Sequence, residues 1–114
     1  MDQDSFTLPG KGSFLGEEVV VNGTLRSDDD LYLKGRVIGD VHCQASLYMN
    51  KDAVVSGNVF CGSLFSDGLI TGNVRVAQRS HLKEHAVILG SLHTCSLLIH
   101  PGAKVERGLK LQGK

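Results

Sequence analysis

The stretch that decides the fold is VILGSLHT, Val87–Thr94, in which aliphatic residues stand two positions before and after a glycine. Side chains alternate between the two faces of an extended strand, so this spacing predicts that Ile88, Gly90 and Leu92 share one face. The same arrangement recurs around five further centres, which are Gly23, Gly39, Gly57, Gly72 and Arg107. Six copies in 114 residues identify a repeat protein.

Alignment of the six copies gives columns of similar residues. Two positions before the centre stand Val21, Val37, Val55, Ile70, Ile88 and Val105, and two positions after it stand Leu25, Val41, Val59, Val74, Leu92 and Leu109. One position after the centre the residues are small or polar, which favours the outer face: Thr24, Asp40, Asn58, Asn73, Ser91 and Gly108. The centres follow one another at intervals of 16, 18, 15, 18 and 17 residues, so the period is close to 17.

Composition indicates an all-β domain without a general attraction to polyanions. Twelve acidic and twelve basic side chains cancel, so nucleic acid is not an expected partner. Only six residues are Phe or Tyr and none is Trp, whereas fourteen are Gly, so the core must consist of aliphatic side chains with glycine at bends. The sequence contains neither a long apolar run nor a secretory leader, and we expect a cytoplasmic location.

A second aliphatic stripe, offset from the first, predicts how the copies are connected. Its members are Leu31, Leu33, Leu47, Met49, Leu64, Leu82, Leu97 and Ile99. Each unit therefore holds at least two short inward-facing strands joined by small-residue corners, and it is too short to bury its apolar face alone. Coiling solves this problem, and it predicts a parallel β-helix of about six windings. A β-sandwich is the structural alternative, but it gives no reason for such columns.

The two ends of this coil carry little that would cover them. At the C-terminal end Leu109 and Leu111 are followed by only three residues, and at the other end Phe14, Leu15, Val19 and Val21 follow a polar segment. Terminal windings of a β-helix expose unpaired backbone groups and apolar side chains. Two such ends predict polymerisation end to end.

From residue 14 to residue 111 the sequence resembles the bactofilins, a family of bacterial cytoskeletal proteins. The motifs that carry the resemblance are FLGEEVVVNGTL, LYLKGRVIGDV, AVVSGNV, GLITGNV, HLKEHAVILGSL and LLIHPGAKV. The resemblance implies a single-stranded, right-handed, three-sided parallel β-helix that forms nonpolar filaments through contacts between like ends, without nucleotide. It also implies that the filaments scaffold cell-shape or cell-wall proteins and associate with the inner membrane face.

Two residues of the last winding depart from the family pattern. Arg107 stands where the family usually has glycine, and Val105 stands where it tends to have a phenylalanine that is important for the C-terminal contact. With Leu109 and Leu111 they form the predicted C-terminal polymerisation surface. The two departures imply a weaker contact.

Residues 1–13 and 112–114 lie outside the predicted β-helix domain. The first segment lacks a period and contains Pro9 and two glycines, which predicts a flexible tail. Its apolar residues, Phe6 and Leu8, leave two interpretations open: a disordered leader, or an anchor for a membrane or partner that is too weak to hold a bilayer alone.

The sequence predicts no catalytic, metal or cofactor site. The acidic run Ser27–Asp30 lacks the alternate ligands of a calcium loop, and the cysteines lack zinc spacing. Cys43 and Cys61 are predicted to stack in the core as thiols, although neighbouring strands would also allow a disulfide. An outer column containing His42, Phe60, Arg75 and His93 is predicted to be a surface ladder.

Three functional classes remain. The first is a structural filament protein, and the second is a monomeric β-helix adaptor whose tail covers its ends. The third is a left-handed β-helix acyltransferase in which His81 or His85 would act as the base at a trimer interface. The repeat lengths disfavour this third class, because that fold keeps near-strict multiples of six residues.

Overall fold

Seventeen strands account for the regular structure of the described residues. A computed structural model describes residues 5–8, 13–16 and 18–111, and within them no helix has the length and hydropathy needed to cross a membrane. The strands are β1 (Ser5–Leu8), β2 (Ser13–Leu15), β3 (Val20–Asn22), β4 (Thr24–Ser27), β5 (Leu31–Leu33), β6 (Arg36–Ile38), β7 (Val41–Met49), β8 (Val54–Ser56), β9 (Val59–Ser66), β10 (Leu69–Ile70), β11 (Val74–Val76), β12 (Arg79–Leu82), β13 (Val87–Ile88), β14 (Ser91–Thr94), β15 (Ser96–Ile99), β16 (Lys104–Val105) and β17 (Gly108–Leu111).

The strands coil into a parallel β-solenoid. One sheet has six strands in the order β16-β13-β10-β8-β6-β3, and the second has eleven, with the main path β1-β4-β7-β9-β11-β14-β17. Both aliphatic columns lie in register, as at Ile70 and Ile88 and at Val74 and Leu92, which confirms the alignment made from the sequence. Six strands in the smaller sheet are separated by five intervals. The solenoid therefore has about five turns. The prediction of six windings was too high because it counted the repeat copies, whereas one turn runs from one copy to the next.

The glycine-centred motif forms a corner and not one extended strand. Val87–Ile88 belongs to the smaller sheet and Ser91–Thr94 to the larger, so the prediction that Gly90 lies within a continuous strand is wrong. The chain bends at Leu89 and Gly90 while Ile88 and Leu92 both remain buried. Glycine is required because a Cβ atom on Gly90 would overlap the carbonyl oxygen of Gly72.

The core is an apolar cylinder closed by aliphatic ladders. Leu31, Leu47 and Leu64 of the second stripe are fully buried and stack from one turn to the next, and Ser80 continues this column. Leu82 is also fully buried but lies in the neighbouring column, in register with Ser66. Burying a side chain of this size contributes about 1.5 to 3 kcal/mol. Ile99 lies in register with Leu82 but is exposed, because it lies on the last described turn.

Two short strands near the N-terminus are paired with the solenoid. Ser5–Leu8 pairs in parallel with β4, and Ser13–Leu15 pairs with β5, so the predicted flexible tail includes a paired strand. A strand of four residues forms ladder hydrogen bonds through its backbone and is too short to produce a hydrophobic period. Residues 112–114, predicted to be a short tail, lie outside the described residues.

Candidate assembly surfaces

The C-terminal end of the solenoid presents an apolar edge. Among the described strands, β17 pairs only with β14, in a register that places Leu109 below Leu92 and Leu111 below Thr94. Leu109 and Leu111 continue the inward-facing column, yet they are 47% and 55% exposed because no further described turn covers them. The edge thus combines unpaired backbone groups with exposed aliphatic side chains.

Two further features complete this end. Val105 is partly buried against the core, whereas Leu98 and Ile99 on β15 are exposed and widen the apolar area. The backbone N–H of Arg107 donates to the carbonyl oxygen of Gly90 at 3.1 Å. Gly108, the next residue, has a positive φ of +140°. The centres Gly57, Gly72 and Gly90 lack a positive φ, so the corner position that Arg107 occupies does not itself demand a left-handed conformation.

The predicted N-terminal surface is divided between the core and the exterior. Val21 is buried in the core, whereas Val19 and Val20 are exposed. The side chains of Phe14 and Leu15, predicted for the same surface, lie outside the described residues, as do those of Phe6 and Leu8. The described part of this end thus offers Val19 and Val20 for contact.

An aromatic ladder follows one outer side of the solenoid. The rings of Tyr32 and Tyr48 stack with centroids 4.6 Å apart, and Tyr48 stacks on Phe65 at 4.9 Å. Phe65 is followed by His81 at 5.9 Å and then by His100, whose Nε2 lies 2.9 Å from Nε2 of His81. Sequence reasoning missed this ladder, although the positions repeat at close to the 17-residue period. Parallel pairing in register stacks the rings from Tyr32 to His81. His100 lies outside this register, since Leu98 is the strand partner of His81.

The two histidines considered for catalysis have separate partners. Desolvation, followed by the proximity of His100 and Lys83, lowers the pKa of His81. His85 instead contacts Asp67, with Nδ1 and Oδ1 3.3 Å apart, and its backbone N–H donates to the same oxygen. The geometry therefore assigns His81 to the aromatic ladder and His85 to a corner contact.

The predicted outer column is confirmed and extends over six strands. Its members are Arg26, His42, Phe60, Arg75, His93 and Lys110, each in register with the next. The rings of His42 and Phe60 stack at 4.9 Å. The column consequently combines permanent positive charges with aromatic and imidazole rings.

Side-chain hydrogen bonds connect successive corners. The Oδ1 atom of Asp40 accepts from the backbone N–H of Asn58, and Oδ1 of Asn58 accepts from that of Asn73. Asn73 in turn accepts from both the N–H and the hydroxyl of Ser91. These bonds satisfy backbone donors where the glycine corners interrupt the strand ladders.

Cys43 and Cys61 are free thiols that stack in register, as predicted. Burial raises the pKa of both. Cys95 is exposed and its Sγ donates to the carbonyl oxygen of Ala77. The buried environment of Cys43 and Cys61 favours inert thiols over thiolates.

The acidic turn Ser27–Asp30 is held by its own hydrogen bonds. Ser27 donates to the carbonyl oxygen of Asp29, and Asp30 Oδ1 accepts from the backbone N–H of Ser46. Across the described residues, no group of three or more potential ligands could hold a metal ion.

Comparisons with known proteins agree on one relationship. The family profile described as "Bactofilin: Polymer-forming cytoskeletal" matches residues 13–110. Bactofilin BacO of Myxococcus xanthus (strain DK1622) is 26% identical over 100 residues, which cover 88% of this chain and 79% of the relative. Bactofilin BacP of the same organism is 26% identical over 89 residues, which cover 78% of this chain and 37% of the relative. No solved structure matches the chain significantly.

Proposed function

Because the chain belongs to the bactofilin family of polymer-forming cytoskeletal proteins, we propose that it assembles end to end into filaments without nucleotide. The observation that carries this proposal is the uncovered last turn, where Leu109 and Leu111 are about half exposed on an edge strand. A second copy would cover these side chains and supply partners for the backbone groups of β17. Burial of apolar area stabilises such a contact.

The proposed contact joins like ends. A two-fold axis at the C-terminal junction would place Leu109 and Leu111 of one copy against the same residues of the other. The N-terminal junction would use Val19 and Val20, together with the predicted Phe14 and Leu15. A filament of this kind has alternating subunit orientations and no overall polarity.

We further propose that the solenoid is right-handed and three-sided. Each central turn contributes one strand to the smaller sheet and two strand segments to the larger, which supports three sides. The long strand β7 spans one corner, with an irregularity between Cys43 and Ser46. A map of the filaments from cryo-electron microscopy would test both properties.

The proposed cellular role is to scaffold cell-shape or cell-wall proteins at the inner membrane face. The outer ladders support this role, since they repeat along the filament and offer many equivalent sites. Phe6 and Leu8 are proposed to contact the membrane or a partner. Binding of the full chain to anionic and neutral vesicles, compared with a Phe6→Ser/Leu8→Ser variant, tests that part.

The assembly proposal is tested by negative-stain electron microscopy and sedimentation without nucleotide or metal. Wild-type protein should form filaments, whereas Leu109→Glu and Leu111→Glu should yield small particles with an unchanged circular dichroism spectrum. The control is Ile38→Glu, which changes an aliphatic side chain of similar exposure on the side of the solenoid. Wild-type filaments that persist in both end variants would contradict the proposal, and small wild-type particles would favour an adaptor.

A further inference from the structure

The solenoid is electrically polarised although its net charge is zero. Among the described residues, those up to residue 57 include six acidic and four basic side chains, whereas those from residue 58 onward include three acidic and six basic ones. Because each turn stacks on the previous one, this difference along the sequence becomes a difference along the axis. The N-terminal half is acidic and the C-terminal half is basic.

One side of the solenoid concentrates this contrast. We define the charged side as the outer column from Arg26 to Lys110 together with the corner that follows it. At its N-terminal end lies the acidic turn Ser27–Asp30, in which Asp28 is exposed, directly after the exposed Arg26. Toward the C-terminal end it carries Arg75, Arg79 and Lys110, all exposed. Three to five turns separate the two zones, or roughly 14 to 24 Å at about 4.8 Å per turn.

The middle of the charged side lacks permanent charge. Its outer positions are His42 and Phe60, whose rings stack, and its corner positions include Gln44 and Ser63. Ser63 donates to Gln78 of the next turn, which keeps this corner compact. Three acidic side chains outnumber the single Arg26 at the N-terminal end, the middle has no permanent charge, and the other end is basic.

A surface with this pattern is complementary to the same surface of a second copy that is related to it by a two-fold axis. We propose that the charged side binds a second copy of the chain in antiparallel orientation, side by side. The acidic turn Ser27–Asp30 of each copy then faces Arg75 and Arg79 of the other. Such a contact is isologous, because both copies use the same surface.

The charges favour a second copy over an anionic membrane. Recognition of anionic lipids typically takes a cluster of four to eight Lys or Arg side chains. The basic zone holds three, Arg75, Arg79 and Lys110, and a membrane would repel the acidic turn on the same side. Only an antiparallel copy satisfies both zones at once.

This inference rests on the proposed function, because it assigns the sides of the same filament. Added salt should weaken the contact between the charged sides but should not weaken the apolar contact between ends. Exposed charges are screened within about 10 Å at 0.1 M salt and about 3 Å at 1 M. The apolar end contact is not weakened by screening, so high salt should separate paired filaments without shortening them.

Charge reversal tests the pairing directly. Arg75→Glu/Arg79→Glu makes both zones acidic, and Asp28→Lys/Asp29→Lys makes both basic. The contacts of Asp29 to Ser27 and Cys43 use its backbone oxygen, so this change leaves them in place. Electron microscopy at low salt should show paired filaments for the wild type and single filaments for each variant. Mixing preformed filaments of the two variants should restore pairs.

A matched variant separates position from net charge. Arg36→Glu/Lys51→Glu makes the same change in charge on other sides of the solenoid. Its filaments should pair with one another but not with those of Asp28→Lys/Asp29→Lys, because two basic zones would then meet. Equal pairing in that mixture, single wild-type filaments at low salt, or pairs that persist at about 1 M salt would each overturn the inference.

Filament length and filament pairing are read separately in the same images. Short or absent filaments with intact salt-sensitive pairing, measured as a dimer by sedimentation equilibrium, would contradict the proposed function alone. Long filaments that never pair would contradict the side contact alone.

Discussion

The Nε2 atom of His81 lies 2.9 Å from the Nε2 atom of His100, at the C-terminal end of the aromatic ladder. The two imidazole planes are inclined by only 4°. One nitrogen must donate a proton and the other must accept it, so at least one of the two rings has to be neutral. If both rings were protonated, the hydrogen bond would be replaced by repulsion.

Acidification should therefore destabilise the last turns. Desolvation and then the neighbouring His100 and Lys83 lower the pKa of His81, so the unfolded chain binds more protons than the folded one between the two pKa values. The stabilisation is present above the unfolded value of about 6.5 and is lost as the pH falls through the folded value. Thermal unfolding between pH 7.5 and pH 5 should show a fall in Tm that His81→Phe reduces. An equal fall in that variant would exclude His81 as the cause.

Replacing a corner glycine by alanine should lower the free energy of unfolding by an amount that depends on which atoms the added Cβ would contact. At Gly72 a Cβ atom would overlap the carbonyl oxygen of Gly57 and lie 2.7 Å from Oδ1 of Asn58, so Gly72→Ala must displace backbone. At Gly108 nothing lies within 4 Å, and only the positive φ opposes substitution. We expect Gly108→Ala to cost about 1 to 2 kcal/mol and Gly72→Ala to cost more. Urea denaturation measures the loss in the free energy of unfolding when each substitution is made in a Leu109→Glu/Leu111→Glu background, which is expected not to assemble. Equal losses would mean that φ alone decides the cost.

The corner hydrogen bonds should contribute measurably to stability. Oδ1 of Asn73 accepts from the N–H and the hydroxyl of Ser91, and Asn73→Ala removes both bonds. The expected loss is about 1 to 2 kcal/mol in the free energy of unfolding, which urea denaturation measures. Asn73→Asp keeps an acceptor at the same place and should retain most of the stability. If the two variants lose the same amount, the bonds to Ser91 do not stabilise the corner.

The sequence predicted the core well because its columns repeat one chemical type. Val37, Val55 and Ile70 are all aliphatic, so a period of 17 reveals that they stack. It did not predict the bend at Gly90. Buried residues on the two sides of a corner can have the same two-residue spacing as buried residues on one face of a continuous strand. It missed the aromatic ladder because the residue type changes from Tyr48 through Phe65 to His81. Composition alone concealed the charged side, since the total charge is zero.

Arg107 should weaken the C-terminal junction through its charge. Around this end the described basic residues are Lys104, Arg107 and Lys110, and Glu106 is the only acidic residue of that turn. A junction of like ends would bring two such clusters together, so Arg107→Gly should lower the critical concentration for assembly. Screening should make this effect larger at low salt than at about 1 M salt.

The sign of that change also reports which ends meet. Gly108 already supplies the left-handed conformation at this corner, so Arg107→Gly leaves the positive φ where it is. Sedimentation at several protein concentrations gives the critical concentration, and Arg107→Lys, which keeps the charge, is the matched control. Should Arg107→Gly raise the critical concentration while Arg107→Lys leaves it unchanged, the arginine attracts its neighbour. The acidic N-terminal half of another copy would then be its partner, and the filament would be polar.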